Sequence, residues 1–401
     1  MRLRYKAVSQ EGKKVRGFVE AKEIKDAAYF LRQRNLIPIQ ITKEKEFLLL
    51  KKLPGMGGVK SKDVILFTRQ LSSMLTSGLT LMKGLEILKD QTSNKFLQET
   101  IGGILLDLEE GKNFSDSISK YPEVFSPVYI SLVRAGESSG VLDKVFMRLA
   151  TNLEKQRKLR NTVKGALMYP LVVITLMLAV MLILMLFVIP QLSKLYESLN
   201  VQLPLVTRVV VGISSSIGKI WPLLIGFVAI FIYAFLRWKR SPKGKETYDR
   251  NILKFPLFGK IIKQKILTEF SRTFGLLVGT GTLVVDALNQ SAGVTGNYIY
   301  EKAIMDIAKR VEKGIPVGEA MSYYTYFPPL LIQLVKIGEE TGKMDENLLK
   351  AAEYFEEEVN QSVKTLTTAM EPFIMIVLGV GVGFLVFSVI TPIYSILSAV
   401  Q

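Results

Sequence analysis

Apolar side chains recur along this chain at two periods, and the switches between them divide it. Across residues 3–8 and 15–19 apolar and polar positions alternate, the period of a half-buried strand, and Gly12 lies in the polar turn between them as in a hairpin. Residues 24–34 change to helical spacing, with Ala27, Ala28 and Leu31 on one side, and residues 37–41 return to alternation. The pattern predicts a small α+β module over residues 1–50. Residues 51–60, which include Leu53-Pro54-Gly55-Met56-Gly57-Gly58, read as a flexible linker.

From Ser61 onward the spacing is helical. Ser61-Lys62-Asp63 is a helix start, and Val64, Phe67, Leu71, Met74 and Leu75 then fall on one face. Further helices are expected over residues 81–89, 95–110, 127–135 and 142–164. This whole pattern occurs a second time. Phe67, Arg69 and Gly78 correspond to Phe270, Arg272 and Gly281, and Gly111, Phe125 and Pro127 to Gly314, Phe327 and Pro329. The apolar face returns as Leu267, Phe270, Phe274 and Leu277, and Gly78 and Gly281 are expected to close their helices. An internal repeat of this length has to be recognised before any fold is assigned. Residues 61–170 and 265–371 are thus expected to be homologous antiparallel helical bundles.

Each copy runs through a proline, Pro170 or Pro372, into a stretch without charge. Residues 171–189, 220–236 and 372–395 are predicted transmembrane helices. The first reaches about 30 Å at 1.5 Å per residue, the thickness of the hydrocarbon core. The expected fold class is therefore an all-α membrane protein, with two homologous cytoplasmic helical bundles, three transmembrane helices and the small N-terminal α+β module. Pro392 is a candidate kink in the third span. Gly379 and Gly383 have the spacing of a close helix–helix contact there, within one subunit or between subunits.

Charge sets the expected topology. Lys155, Arg157, Lys158, Arg160 and Lys164 precede the first span, and Arg237, Lys239, Arg240, Lys243 and Lys245 follow the second. The intervening residues 190–219 carry only Lys194, Arg208 and Lys219 as basic residues. The positive-inside bias makes residues 190–219 an external loop and residues 237–264 a cytoplasmic basic connector. The N-terminus is then cytoplasmic and the C-terminus external. Basic Met1–Tyr5 precedes no apolar run, so the first span is expected to act as an internal anchor. The net charge of +16 is read as electrostatics toward the lipid bilayer, not as direct nucleic-acid binding. Hydrophobic residues make up 49% of the chain, with a mean hydropathy of +0.27. There is no Cys or His, which removes thiolate nucleophiles, His bases and the commonest zinc ligands. Gly275, Gly279 and Gly281 lie in a helical pattern with no Lys-Ser or Lys-Thr pair after them, so no phosphate-binding loop is formed. No span carries Asp, Glu, Lys, Arg or His, which weighs against an ion-coupled carrier. No catalytic, cofactor or metal residues are assigned.

The candidate functional residues are two related loops. Residues 132–143 contain Gly136-Glu137-Ser138-Ser139-Gly140 with Asp143, and residues 334–345 contain Gly338-Glu339-Glu340-Thr341-Gly342 with Asp345. One reading is a helix–helix corner, with Gly136 or Gly338 in the left-handed cap conformation and the acid facing the next helix's N-terminus. The others are a docking point for a partner and a cation site using Glu137 with Asp143 and Glu339 with Asp345.

With these residues in view, the chain resembles the inner-membrane platform family shared by type IV pilus assembly and type II secretion, the GspF/PilC family. The resemblance is carried by Phe67-Thr68-Arg69-Gln70-Leu71 with Ser77-Gly78-Leu79, by residues 132–143, and by Ala166-Leu167-Met168-Tyr169-Pro170. In the second copy it is carried by Phe270-Ser271-Arg272-Thr273, residues 338–345, Glu371-Pro372 and Thr391-Pro392. Tyr5-Lys6-Ala7 with Gly12, Gly17 and Ala21 resembles the family's leading module. Gly281-Thr282-Leu283 departs from the pattern, because the usual continuation is Pro-Leu or aliphatic. The resemblance implies a non-enzymatic, multi-pass inner-membrane scaffold without a cofactor. Its implied partners are a cytoplasmic assembly or secretion ATPase, pilin or pseudopilin subunits, other inner-membrane assembly proteins and further copies of itself. A pilus, a secretion system and a competence pseudopilus for DNA uptake all remain open at this point.

The charge pattern makes a direct prediction. A reporter fused after Ser216 should act as external and one fused after Lys245 as internal. The reverse pair of activities would invert the topology.

Overall fold

The computed structural model describes residues 2–9, 14–20, 36–43, 58–188, 190–191, 212, 223, 226–256 and 258–400. The chain divides into two compact units, Met1–Lys60 and Ser61–Gln401. In the first, strands β1 (Arg2–Ser9), β2 (Lys14–Glu20) and β3 (Leu36–Lys43) form a sheet of order β2-β1-β3. Both pairings are antiparallel, with Leu3 opposite Val19 and Tyr5 opposite both Gly17 and Ile41. Pro38 cannot donate to a ladder, and it sits on edge strand β3 beside the register shift at Lys6/Ala7. The three expected strands are present. The helix expected at residues 24–34 and most of the expected linker lie outside the described residues.

The second unit is helical. Its first bundle contains α1 (Ser61–Thr76), α2 (Leu81–Gln91), α3 (Lys95–Glu109), α4 (Phe114–Ser119), α5 (Pro127–Ser138) and α6 (Leu142–Ile183). One π-helical turn, Leu184–Val188, continues α6. Residues 226–240 form α7, followed by α8 (Pro242–Ile252). The second bundle contains α9 (Phe258–Val278), α10 (Val284–Val294), α11 (Tyr298–Glu312), α12 (Val317–Ser322), α13 (Pro329–Thr341) and α14 (Met344–Val400). Helix α8 and the first turns of α9 thus occupy the stretch read from sequence as a basic connector.

The local signals of the two copies agree closely. The Asn94 side chain accepts from the amides of Phe96 and Leu97 at the start of α3, and Asn297 does the same for Ile299 and Tyr300 at α11. Gly78 and Gly281 close α1 and α9 at φ 85° and 84°, a region where a Cβ is strained. The copies differ just beyond. Thr80 accepts from the Lys83 amide and caps α2, whereas Leu283 at the matching place offers no cap and is 74% exposed. The departure noted in the sequence is therefore a lost cap.

Each core is built around an aromatic contact. Phe67 packs on Phe125 at 5.9 Å between ring centroids, and Phe270 packs on Phe327 at 5.9 Å. Leu71, Phe270, Phe274 and Leu277 are fully buried, while Val64 and Met74 are only half-buried. Helix α9 is buried along nearly its whole length because it packs on α14 and also touches α5 and α6 of the first bundle. Helix α1 packs mainly on α6 and α2 of its own bundle.

Helices α6 and α14 hold the bundles together. Leu159, Ile261, Val359, Val363 and Leu366 form one buried apolar cluster between them, and Lys155 Nζ lies 3.1 Å from Glu353 Oε1. Both helices run on without a break through Pro170 and Pro372. Each proline removes one i→i−4 bond, freeing the carbonyls of Ala166 and Thr368. Among the described residues, two helices are long and apolar enough to cross a membrane, Leu142–Val188 and Met344–Gly383.

One buried polar pair has diverged. Thr68 Oγ1 donates to the Val64 carbonyl at 2.7 Å and lies 3.2 Å from the Tyr129 hydroxyl, which therefore donates to it. Their counterparts are Ser271 and Leu331, and the buried Ser271 hydroxyl has no partner. A buried hydroxyl without a hydrogen bond costs about 1–3 kcal/mol. Ser271→Ala should therefore hold or raise the thermal midpoint of the detergent-solubilised chain, while Thr68→Val lowers stability by about 1 kcal/mol. Phe274→Ala should cost about 3–5 kcal/mol. A Ser271→Ala protein that melts well below the parent would refute the assignment.

Candidate functional site: the paired acidic corners

The Glu137 carboxylate does not cap the helix that follows it. Its two oxygens accept from the backbone amides of Phe114 at 2.6 Å and Ser115 at 2.9 Å, at the start of α4, twenty-odd residues earlier. Glu339 repeats the arrangement with Val317 at 2.5 Å and Gly318 at 2.7 Å, at the start of α12. Helices α4 and α12 have no side-chain cap of their own. The acid supplies two of the missing acceptors and places negative charge at a helix N-terminus. It ties α5 to α4, or α13 to α12, and so corrects the expectation that it serves the next helix.

The glycines also exchange the roles expected for them. Gly140 and Gly342, not Gly136 and Gly338, are left-handed, at φ 67° and 68°. The Val141 amide donates to the Gly136 carbonyl at 2.9 Å, and the Lys343 amide to that of Gly338 at 3.0 Å. This is the bond pattern of a Schellman C-cap, which requires its left-handed residue at the second glycine. Gly136 and Gly338 lie inside the helices and are needed for proximity. A Cβ on Gly136 would stand 2.6 Å from Val145 Cγ2, and one on Gly338 2.7 Å from Met344 Cα. The first glycine lets the next helix cross closely, and the second turns the chain toward it.

Asp143 and Asp345 stand in the first turns of α6 and α14, where the helix dipole favours an acid. Asp345 also packs on α9: a Cβ on Gly279 would lie 2.9 Å from its Oδ2, and one on Gly275 3.2 Å from its carbonyl. These two glycines therefore admit α14 against α9. Glu137 and Glu339 are spent on amides, and among the described residues no group of three His, Cys, Asp or Glu is placed to hold a metal ion.

Sequence reasoning missed a second matched pair. Arg69 on α1 binds Glu154 on α6, and Arg272 on α9 binds Glu356 on α14. The arginines were marked as repeat positions, and an offset one residue shorter relates the two glutamates. The first pair is solvent-facing, with side chains 37% and 43% exposed, and the hydrogen bond from Arg69 holds the Glu154 carboxyl below its usual range. The second is sunk, at 5% and 16%. Arg272 also borders a cleft of about 470 Å³ between the bundles, with Arg148, Asn152, Lys155 and Glu353.

Of the membrane-entry prolines, Pro170 is buried and Pro372 exposed. Gly379 and Gly383 have open space where a Cβ would sit, whereas a Cβ on Gly381 would lie 3.3 Å from Met177 Sδ. Helices α6 and α14 therefore meet at Gly381, and the expected glycine pair faces away from that contact.

The repeated unit is thus a bundle, its acidic corner and the long helix that leaves it. A family profile described as Type II secretion system (T2SS), protein F matches residues 67–190 and again residues 270–392. The chain belongs to the protein F family. Both matched segments begin at the core phenylalanine and end beyond the entry proline, which is the structural unit. The family's N-terminal domain profile matches residues 4–42, across the three strands. Type IV pilus assembly protein TapC of Aeromonas hydrophila is 36% identical over 98% of this chain and 95% of its own length. Type IV pilus assembly protein PilC of Thermus thermophilus is 35% identical over 99% of this chain and 98% of its own. Type II secretion system protein F of Pseudomonas aeruginosa is 26% identical over 98% of each. The resemblance to the GspF/PilC platform family is borne out.

The tether geometry raises the stake on each acid above that of a simple cap. Glu339→Ala and Glu137→Ala should each cost about 1.5–3 kcal/mol, the range for hydrogen bonds to a charged group, read as a loss in thermal midpoint. Glu340→Ala, at an exposed neighbouring position, should be neutral. Equal melting of Glu339→Ala and Glu340→Ala would remove the tether's structural weight.

Proposed function

We propose that this protein F family member is the inner-membrane platform of a type IV pilus assembly system. In this reading it couples a cytoplasmic assembly ATPase to the polymerisation of pilin subunits. The observation that carries it is continuity. Helices α6 and α14, 42 and 57 residues long, are at once walls of the bundles and the carriers of the apolar stretches. At 1.5 Å per residue they are rods of about 63 and 85 Å. A partner that turns or shifts the bundles moves the far ends of the same rods. The pilus system is favoured over secretion because the named pilus assembly relatives are 31–36% identical and the secretion relatives 26–28%.

The topology proposed with it has three spans, with the bundles and N-terminus cytoplasmic and the C-terminus external. Helix α7 supports the second span: Phe227, Phe231 and Phe235 stack along one side with rings 6.5 Å apart, and all three are exposed. Trp238 and Lys239 follow, the order of an interfacial anchor. The open Gly379/Gly383 face is assigned to contact with a second copy. The acidic corners are assigned a structural role first, because both oxygens of each carboxylate are already engaged.

The test breaks the rods without touching either end. Two glycines inserted after Lys164 decouple the first bundle from its span, since glycine costs about 1 kcal/mol each in a helix and bends it. The variant should reach the membrane and still co-purify with the cognate ATPase, yet surface pili should fall at least tenfold in a complemented deletion strain. Normal piliation would overturn rigid coupling.

A further inference from the structure

An apolar groove of about 420 Å³ opens at the corner between α8 and α9. Val163, Ala166, Ile252, Phe255, Phe258 and Ile262 line it, and none of its open surface is polar. Phe255 is 59% exposed. The corner is tightly built: a Cβ on Gly259 would lie 2.4 Å from the Leu253 carbonyl oxygen, so only glycine lets α9 start this close to the end of α8. The groove's floor is the Leu159/Val359/Leu366 cluster that joins the two bundles.

The same corner holds a second pocket of about 430 Å³, and its chemistry is the opposite. Arg250, Lys254 and Lys263 line it together with Thr325 and Tyr326, and no acid does. Arg250 is shared with Glu246 at 2.6 Å, but Lys254 and Lys263 make no ion pair among the described residues. Two exposed lysines beside an arginine, in a pocket that no acid lines, form an anion site. Ile262 and Lys263 are adjacent, so one turn of α9 supplies both pockets.

Depth decides what fits both. Lys164 is the last charge before the first span, so Val163 and Ala166 flank the start of its uncharged run, and Leu366 lies six residues before the run that begins at Pro372. At 1.5 Å per residue the groove is level with the start of the uncharged run on α6 and about 9 Å before its start on α14. The headgroup layer is about 5–7 Å thick on each side of the hydrocarbon core, so the corner stands at the level of that layer. We propose that the α8–α9 corner binds one anionic phospholipid, its phosphate on Lys254, Lys263 and Arg250 and an acyl chain in the groove beside Phe255. The proposal rests on the membrane reading above. The lipid then wedges between α6, α8, α9 and α14, at the level where both rods leave their bundles. Its occupancy stiffens the joint through which motion is passed.

The test uses the full chain, purified in detergent and exchanged with equimolar phosphatidylglycerol and phosphatidylcholine, with retained lipid counted by native mass spectrometry. Membrane insertion is read separately by carbonate-resistant pelleting from cells, so failure of the membrane reading and failure of the lipid site are distinguishable. The parent protein should retain one phosphatidylglycerol at least tenfold over phosphatidylcholine. Lys254→Gln/Lys263→Gln, both exposed positions, should abolish the preference, and Phe255→Ser should lower retention of both lipids. Equal retention of the two lipids by the parent, or an undiminished preference in the double variant, overturns the site. So does displacement by glycerol phosphate alone, which marks a free-phosphate site. A photo-crosslinker at position 255 that captures a protein in cells, and no lipid, would assign the groove to a peptide partner and overturn the proposal as well.

Discussion

Everything in the second unit depends on two helices being shared between jobs. Helix α6 closes the first bundle, α14 closes the second, and the two pack on each other through Leu159, Val359 and Val363 before running on through Pro170 and Pro372. Sharing removes the usual freedom of a linker. In most chains a bundle and a membrane helix are joined by a loop, and each settles its own orientation. Here the orientation of each bundle is fixed to its rod by the aromatic core and by the Arg69–Glu154 and Arg272–Glu356 pairs. The short helices are then held to the rods indirectly. Glu137 and Glu339 bind α4 and α12 to the helix that precedes each rod, and Gly136 and Gly338 bring that helix against the rod's first turn.

The two copies show how a duplicated unit diverges when one is placed centrally. Helix α9 touches both bundles and is buried along most of its faces, so its polar positions had to be neutralised. Arg272 is nearly enclosed with Glu356, while Arg69 remains solvent-facing with Glu154. The Thr68–Tyr129 bond has no equivalent at Ser271 and Leu331. The second core recovers a buried tyrosine elsewhere: Tyr300 on α11 donates to the Tyr326 carbonyl at 3.1 Å and meets Phe327 edge-on. The aromatic partner of Phe125 or Phe327 is thus supplied from a different helix in each copy. The volume was retained and the hydrogen bond was rerouted.

Much of this was legible in the sequence. Period alone located the strands, most helices and both cores, and the repeat located the corners, because a matched Gly-Glu-x-x-Gly is improbable without a shared geometry. What escaped was direction. Nothing in Gly136-Glu137-Ser138-Ser139-Gly140 says which helix N-terminus the acid will meet, since the amides of Phe114 and Ser115 are brought there by the fold. Nor can spacing say which of two glycines turns left-handed. That is decided by where the helix stops bonding, and the 6→1 bonds to Gly136 and Gly338 carry both helices past the first glycine. The Arg–Glu pairs were hidden for a simpler reason: Glu154 and Glu356 lie among other charges on long helices, and only the offset between copies distinguishes them. Helix α8 was lost in a run of basic residues, where high charge masks the spacing.

The charge in that run has two uses in the structure, and they follow from position. Lys239 sits over the Tyr248 ring at 3.8 Å and Lys245 reaches Glu301, which ties α7, α8 and α11 together, while Arg250 reaches Glu246 within α8. Lys254 and Lys263, beyond the end of α8, are left over. Composition sees one basic patch, whereas the fold separates cations that are satisfied within the protein from cations that are not. The unsatisfied ones lie beside the one groove among those described whose open surface is entirely apolar, at the level where the rods lose their charge. A net charge of +16 explains attraction to an anionic surface in general. The pairing of free lysines with an apolar slot explains why the attraction would be strongest at one corner, where a bound lipid bears on both rods at once.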